Sequence, residues 1–488
     1  MVHIRRFNFK LVARLAGMML TILACAMVLP IIVSLVYRDG AQFDLFFSAI
    51  AILVLGLVLR NIVGKDTDYE LHEKESFWIT SVIWILVPLA GSLPYLFTGA
   101  VSNFTDAAFE SFSGFTTTGA SVIADLDHTP VGLLIWRSLT QWIGGLGLIL
   151  FIIAMLKKLN VGSVQLYDAE FSGTIQRKLH PRIASSVKLM WSIYLGLTAI
   201  LFVLLLLGKN GLVDSFCLAT SAVSTGGFMV HGTGLAEMNL WSRASLTFFM
   251  FLSGVNIALV YHLLSRKGKD VWKDQEFHVY LGIFLVAVAV SVSAFLAKGC
   301  SLGDALGFSL FHVASTVSTC GLSVDCPTQL PMSVAGVTFF LIIIGASAGS
   351  TGGGLKIKRL MILWRYVRNY FTRMMHPNVV FSVKVNDMTI SDEYINKIFG
   401  FVFMYIMFIV CGAFVLTLCD VNIPTAVCVA AANIGNLGPS PLINTLGPTF
   451  DYVSLQPVAK WTLMSLMLVG RIEIFAILAV FSPVYWKR

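Results

Sequence analysis

The chain has 488 residues, of which 57% are hydrophobic and only 12% charged, and its mean hydropathy is +0.82. Soluble domains carry about 25% charged residues, so a water-soluble globule is excluded and an all-α integral membrane protein is predicted. The net charge of +8 does not point to a nucleic-acid partner, because the basic residues gather on alternate connections between apolar runs.

With about 20 apolar residues to a spanning helix, the chain reads as ten spans: 11–37, 41–63, 76–98, 131–157, 187–208, 240–265, 278–298, 331–367 (interrupted), 396–419 and 457–484. The first follows Arg5, Arg6 and Lys10, has no A-x-A-like cleavage site after it and runs straight into a second span, so it reads as a retained anchor. Residues 1–73 form a leading helix pair. Basic clusters around Lys157 and Arg177, Arg266 and Lys273, Arg359 and Arg373, and Lys487 and Arg488 mark inner loops and place both termini in the cytoplasm. Asp39, Asp125, Asp127, Asp325, Asp420 and Asp451 fall on the opposite connections, where an acidic mouth would concentrate cations. Insertion bias alone also produces this pattern of basic loops.

After the leading pair one device recurs four times: a long apolar helix, a half-length apolar segment, a Gly in a small polar cluster, and another long helix. The repeats occupy 74–184 with an inner linker, 185–275, 276–393 and 394–488. The inner linkers at 158–186 and 370–394 read alike, the first as a surface helix. An even number of crossings separates the repeats, so they run parallel and can sit around a pseudo-fourfold axis. The half-length segments begin near Asp106, Asp214, Asp304 and Pro424-Thr425, whose side chains are predicted to cap exposed N–H groups. The third is about one turn longer than the others. Their C-terminal ends would point at the axis, where the partial negative charge favours a cation.

A half-length segment cannot cross a bilayer, and irregular backbone at that depth survives only inside protein or against a wet cavity. The four clusters are Thr116-Thr117-Thr118-Gly119, Ser224-Thr225-Gly226-Gly227, Ser318-Thr319-Cys320-Gly321 and Asn436-Leu437-Gly438-Pro439. Aligned on Gly119, Gly226, Gly321 and Gly438, they predict a ring of backbone carbonyls that replaces a cation's water shell. Gly435 offers a competing fourth register, but Gly438 precedes a Pro and lies thirteen residues after Thr425, as Gly119 does after Asp106.

Two further features bear on the path. The run from Gly345 to Gly354 holds five glycines, Gly345, Gly349, Gly352, Gly353 and Gly354, inside an apolar span. At about 1 kcal/mol each relative to Ala these should break the helix, giving either a gate loop beneath the ring or a close helix packing. Lys356 follows directly and either tunes the gate or marks the inner surface. Arg471 sits mid-span, where a charge costs roughly 2.5–3.5 kcal/mol and so faces protein or water. It reads as a pore-facing barrier or as a tie to half-helix carbonyls. Glu110 either bonds nearby backbone or meets outer water, and His312 reads as a bonded structural residue. Cys300, Cys320 and Cys326 lie on the outer side, where a disulfide is conceivable, but the eight cysteines lack the density of a disulfide scaffold.

Phe104-Thr105-Asp106 through Gly119, Trp136-Arg137-Ser138, Gln141-Trp142-Ile143-Gly144-Gly145, Ser350-Thr351-Gly352-Gly353-Gly354-Leu355-Lys356 and Gly470-Arg471-Ile472-Glu473 resemble the motifs of Trk-type bacterial potassium uptake subunits, in the Trk/Ktr/HKT superfamily. The resemblance runs over nearly the whole chain, and the leading pair suits the Trk branch. It implies potassium uptake across the inner membrane. The filter carbonyls would come from Thr117, Thr118, Gly119, Thr225, Gly226, Thr319, Cys320, Gly321, Asn436, Leu437 and Gly438. Cys320 departs from the Thr-like residue commoner there. Gly at all four ring positions favours potassium, whereas a Ser at the first marks some sodium-selective relatives. A homodimer in membrane lipid and a cytosolic nucleotide-binding regulatory subunit are further implications. No organic cofactor, nucleic acid or enzymatic activity is expected: the H-E-x-x-H, G-x-S-x-G and Walker motifs are missing from the sequence. The rival readings are a sodium-coupled or sodium-selective carrier and the potassium-binding subunit of a pump complex.

Overall fold

The structure, a computed structural model, describes residues 9–61, 73–147, 183–265, 271–376, 382–438, 450–472 and 474, apart from 233, 236, 237, 325, 327 and 387. The surface helix expected in the linker from 158, Pro439, Glu473, Asp325 and both termini lie outside these residues.

Among the described residues, six stretches are continuous, apolar and long enough to cross a membrane. The first joins α1 (Phe9–Ala26) and α2 (Val28–Tyr37), and α3 (Gln42–Asn61) returns beside it. The others lie in α4 (Glu73–Gly91) with its short continuation α5 (Leu93–Phe97), α8 (Ile183–Leu207), α12 (Gln275–Ala297) and α16 (Asp392–Leu418). The spans expected at 131–157 and 457–484 begin as α7 (Val131–Gly145) and α18 (Pro457–Ile472) and leave the described residues. The interrupted span is α14 (Met332–Ile344) and α15 (Ile357–Met375), separated by the Gly-rich loop.

One expected span is not straight. The stretch 240–265 is α10 (Leu240–Ser253) and α11 (Ile257–Leu264), bent by 113°. Gly254 ends the first helix. Asn256 starts the second by accepting the Ala258 N–H at 2.8 Å, as its side chain can do only outside a helix interior.

The half-length segments are α6 (Phe104–Phe115), α9 (Leu212–Val223), α13 (Leu302–Val317) and α17 (Ile423–Ile434). At 16 residues α13 is one turn longer than the 12 of the others. The residues expected to cap them sit three positions too late. Asp106, Asp304 and Thr425 donate their backbone N–H to the real caps, Asn103, Ser301 and Asn422, at 2.8, 3.2 and 2.9 Å. Asp106 and Asp304 accept in return from the cap side chains, closing a two-way cap. In α9 the cap is Gly211.

The linker after α15 also differs from expectation. Lys384–Val385 (β1) and Met388–Thr389 (β2) pair antiparallel in a small hairpin, turned by Asn386 at φ +46. Val383, Val385 and Ile390 bury themselves against Ile362 of α15 and Ile395 of α16, forming a small core of their own.

Candidate functional site

The four half-helices end in one conformation. Two residues past each end, Thr117, Thr225, Thr319 and Asn436 take left-handed φ of 55, 56, 59 and 50°. Their N–H groups turn back to carbonyls of the half-helix, at 2.9, 3.2, 3.0 and 3.2 Å. The next amides, of Thr118, Gly226, Cys320 and Leu437, do the same at 2.9, 2.8, 2.8 and 2.9 Å. This is the bonding of a helix C-cap, and it turns the carbonyls of these peptides away from the helix.

The four turns meet. A Cβ on Gly119 would lie 2.2 Å from the carbonyl oxygen of Gly226, and one on Gly227 would lie 2.0 Å from that of Cys320. One on Gly321 would lie 3.3 Å from the Gly438 nitrogen, and one on Gly438 would lie 2.4 Å from the Thr118 oxygen. First unit abuts second, second abuts third, third abuts fourth and fourth abuts first, which closes a ring. At Gly119, Gly227 and Gly438 a Cβ would clash with backbone, and Gly119, Gly227 and Gly321 hold left-handed φ of 81, 76 and 84° that favours glycine.

The ring corrects one register. In the second unit the counterpart of Gly119 is Gly227, and Gly226 stands where Thr118, Cys320 and Leu437 stand. The spacing already in the sequence identifies it, since Gly227 lies thirteen residues after Asp214. In the fourth unit Gly435 is the cap of α17 at φ −74°, and Gly438 holds the ring position.

Polar side chains brace the ring from behind. Asn436 donates to Thr118 Oγ1 at 3.2 Å and to the Met467 carbonyl at 2.9 Å, joining the fourth unit to the first. Gln141 Oε1 accepts the Phe228 N–H at 3.3 Å. Glu110 does not face outer water. It is fully buried, pairs with Arg137 Nε at 2.8 Å and accepts the Val122 N–H at 2.9 Å. Arg137 continues across the unit boundary to the Met229 carbonyl at 3.1 Å. His312 bonds Thr338 Oγ1 at 2.8 Å, and both it and Glu110 lie nine residues before a ring glycine. A second buried pair, Lys460 with Asp106 at 2.5 Å, ties α18 to the start of α6. Neither ion pair is legible in the sequence, since their partners lie 27 and 354 residues apart.

The outer aspartates divide. Asp39 is structural, accepting the backbone N–H groups of Ala41 and Gly132 at 3.1 and 2.8 Å. Asp127 and Asp214 flank the half-exposed ring of His231 at 3.2 and 3.1 Å. Asp125 meets His128 at 2.6 Å, and that hydrogen bond holds its carboxyl below the usual carboxylate range. Cys300, Cys320 and Cys326 are all free thiols, and Cys320 is buried with its sulfur 3.9 Å from the Ser221 carbonyl oxygen.

The loop of residues 345–356 lies against one end of the ring. The Gly353 N–H donates to Thr319 Oγ1 at 2.7 Å. A Cβ on Gly352 would come 2.5 Å from the Ser318 carbonyl oxygen, and one on Gly353 would come 2.2 Å from that of Gly435. Those two oxygens belong to the caps of α13 and α17, so the loop sits directly under two of the four turns. It also rests in the bend of the second unit. Ser347 N–H donates to the Gly254 carbonyl at 3.0 Å, and the Gly349 carbonyl accepts the Ile257 N–H at 3.1 Å. Lys356 reaches back to the Gly352 carbonyl. Arg471 donates to the Thr351 carbonyl at 2.8 Å and to the Gly144 and Gly145 carbonyls at 2.7 and 2.5 Å, so it ties loop and α7 together. Gly349, Ser350, Gly352, Lys356, Asn436 and Arg471 line a common cavity.

Fold and site together define a class: a helical membrane protein in which four re-entrant turns close a ring above an intramembrane loop. The chain belongs to the TrkH family of cation transport proteins, whose family model matches residues 44–488. It is 33% identical over 488 residues to the Trk system potassium uptake protein TrkH of Salmonella typhimurium, covering 99% of this chain and all of that one. Identity to TrkH of Escherichia coli K12 is 32% over 99% of this chain and all of that one. Among solved structures it resembles the potassium transporter TrkH from Vibrio parahaemolyticus, with a TM-score of 0.87 and 30% identity over 98% of this chain and all of that one.

Proposed function

We propose that this chain is the pore-forming subunit of a potassium uptake system in a bacterial inner membrane, multi-pass with both termini cytoplasmic. The observation that carries the reading is the closed ring of four capped turns, supported by the names of full-length relatives. Potassium enters past the outer loop bearing Asp125 and Asp127 and the start of α9 bearing Asp214. Carbonyls of Thr117 and Thr118, Thr225 and Gly226, Thr319 and Cys320, and Asn436 and Leu437 replace its water, with Gly119, Gly227, Gly321 and Gly438 allowing the close approach. The C-terminal ends of the half-helices add negative potential at the same place. The loop of Gly345, Gly349, Gly352, Gly353, Gly354 and Lys356 then obstructs the way inward. Arg471 holds the loop there and opposes a passing cation. Inward movement follows the membrane potential, about 2.3 kcal/mol per charge per 100 mV.

The unit boundaries at 74, 185, 276 and 394 divide the chain by this mechanism, one turn to each unit. Resemblance to the Trk branch supports a homodimer and a cytosolic nucleotide-binding regulatory partner. The test is growth of a potassium-uptake-deficient bacterium at low external potassium. The parent chain restores growth, and Gly119→Ser loses preference for potassium over sodium. Equal rescue by both would refute the filter.

A further inference from the structure

Among the described residues, one anchor of the intramembrane loop is a carboxylate. Ala348 N–H donates to Oε1 of Glu276 at 2.6 Å, and Glu276 is only 4% exposed. Burying a carboxylate is costly unless it is hydrogen-bonded and compensated. Glu276 is placed for both. It lies in the first turn of α12, where the helix dipole favours negative charge. Lys356 and Lys358, at the end of the loop and the start of α15, bring positive charge near it, against the negative charge of Asp274 at the cap of the same helix.

The same turn of α12 is clasped from the other side by the hairpin. Gln275 N–H donates to Asn386 Oδ1 at 3.0 Å, Asn386 N–H donates to Gln275 Oε1 at 3.3 Å, and Asn386 Nδ2 donates to Asp274 Oδ2 at 2.6 Å. Asp274 is itself the cap of α12, accepting the Phe277 N–H at 2.9 Å. The hairpin rests on Ile362 of α15, and Arg365 of α15 donates to the Lys384 carbonyl. The hairpin therefore touches both the helix that continues from the loop and the helix end whose carboxylate grips the loop's middle. A rigid body with two such attachments moves the loop when it moves.

We propose that Glu276 is a positioning residue that latches the intramembrane loop, and that the Asn386 hairpin is the lever through which its surroundings act on the latch. The proposal rests on the reading of the loop as the obstruction in the path. It is tested on the full chain in vesicles, with Ser350→Cys as a reporter in the cavity. One readout is the rate at which a membrane-impermeant maleimide applied on the hairpin side labels that position, followed by mass spectrometry. The other is rubidium flux. Glu276→Ala raises labelling and flux severalfold. Glu276→Gln keeps an oxygen for the Ala348 N–H and stays near the parent. Asn386→Ala raises both to a smaller extent. Parental labelling in Glu276→Ala, or equal labelling in the Gln and Ala variants, overturns the latch. Should Glu276→Ala fail to fold, Asn386→Ala decides, and unchanged labelling there overturns the proposal. Faster labelling with unchanged flux leaves the latch standing and refutes the loop as the obstruction.

Discussion

Arg471 donates to the Thr351 carbonyl of the intramembrane loop at 2.8 Å, while its other terminal nitrogen holds the Gly144 and Gly145 carbonyls at the end of α7. One guanidinium thus satisfies the carbonyl end of a helix and pins an irregular loop under the ring. The structural tie read from the sequence is present, but its carbonyls belong to α7 and the loop and not to a half-helix.

Removing that side chain should free the loop. Hydrogen bonds to charged groups are worth about 1.5–3 kcal/mol, and each 1.4 kcal/mol is tenfold in an equilibrium. Arg471→Ala should raise rubidium flux into vesicles by about tenfold or more. Arg471→Lys, which lacks the fork to reach three carbonyls, should fall between the two. Flux in Arg471→Ala at or below the parent's, with the protein folded, would count against the loop as a gate.

The ring register predicts unequal effects for adjacent glycines. In Gly227→Ala the new Cβ meets the Cys320 carbonyl at 2.0 Å on a backbone with φ of 76°. In Gly226→Ala it meets the Gln141 side-chain amide at 2.4 Å, a group that can turn aside at the loss of its bond to Phe228. That bond is worth about 1 kcal/mol. Gly227→Ala should lower the rubidium-to-sodium flux ratio at least tenfold and Gly226→Ala much less. The reverse order would restore Gly226 as the ring glycine.

The buried pair behind the ring should dominate stability. Removing one partner of a buried ion pair costs about 3–5 kcal/mol, because the other charge is stranded. Thermal unfolding in detergent should show that loss for Glu110→Ala. Glu110→Gln, whose single amide oxygen can accept from either Arg137 or the Val122 N–H but not both, should lose less than Ala. Equal midpoints for the two variants would mean that the bonds of Glu110 contribute nothing.

Thiol chemistry should follow burial. Cys300 and Cys326 are partly buried, and Cys320 is closed off in the ring. A membrane-impermeant maleimide added on the outer side should modify Cys300 and Cys326 well before Cys320, as read by peptide mass spectrometry. Early modification of Cys320 would show its side chain pointing into the path.

Much of this architecture is legible in the sequence because it is written in local signals. Half-length apolar segments must turn back, and each carries its Gly a fixed distance on. In the second turn Gly226 and Gly227 are adjacent, and only the count from Asp214 separates them. The caps were misplaced because Asp106 and Asp304 do bond the helix start, but from its third residue. The bend at Gly254–Asn256 was hidden by an apolar composition on both sides. The pairs Glu110–Arg137 and Lys460–Asp106, and the grip of Glu276 on Ala348, are tertiary facts. Glu110 and Asp106 have local readings in the sequence, and only the folded chain shows their distant charged partners.

The backbone oxygens of Thr118, Gly226, Cys320 and Leu437 should face a single cation path. The most direct measurement is an anomalous difference map from crystals of this protein grown in rubidium and, in parallel, in sodium. Rubidium peaks on the axis of the ring, within coordinating distance of those oxygens and lost in Gly227→Ala, are the predicted result. Rubidium bound only away from the ring, with an intact protein and an unoccupied axis, would contradict it.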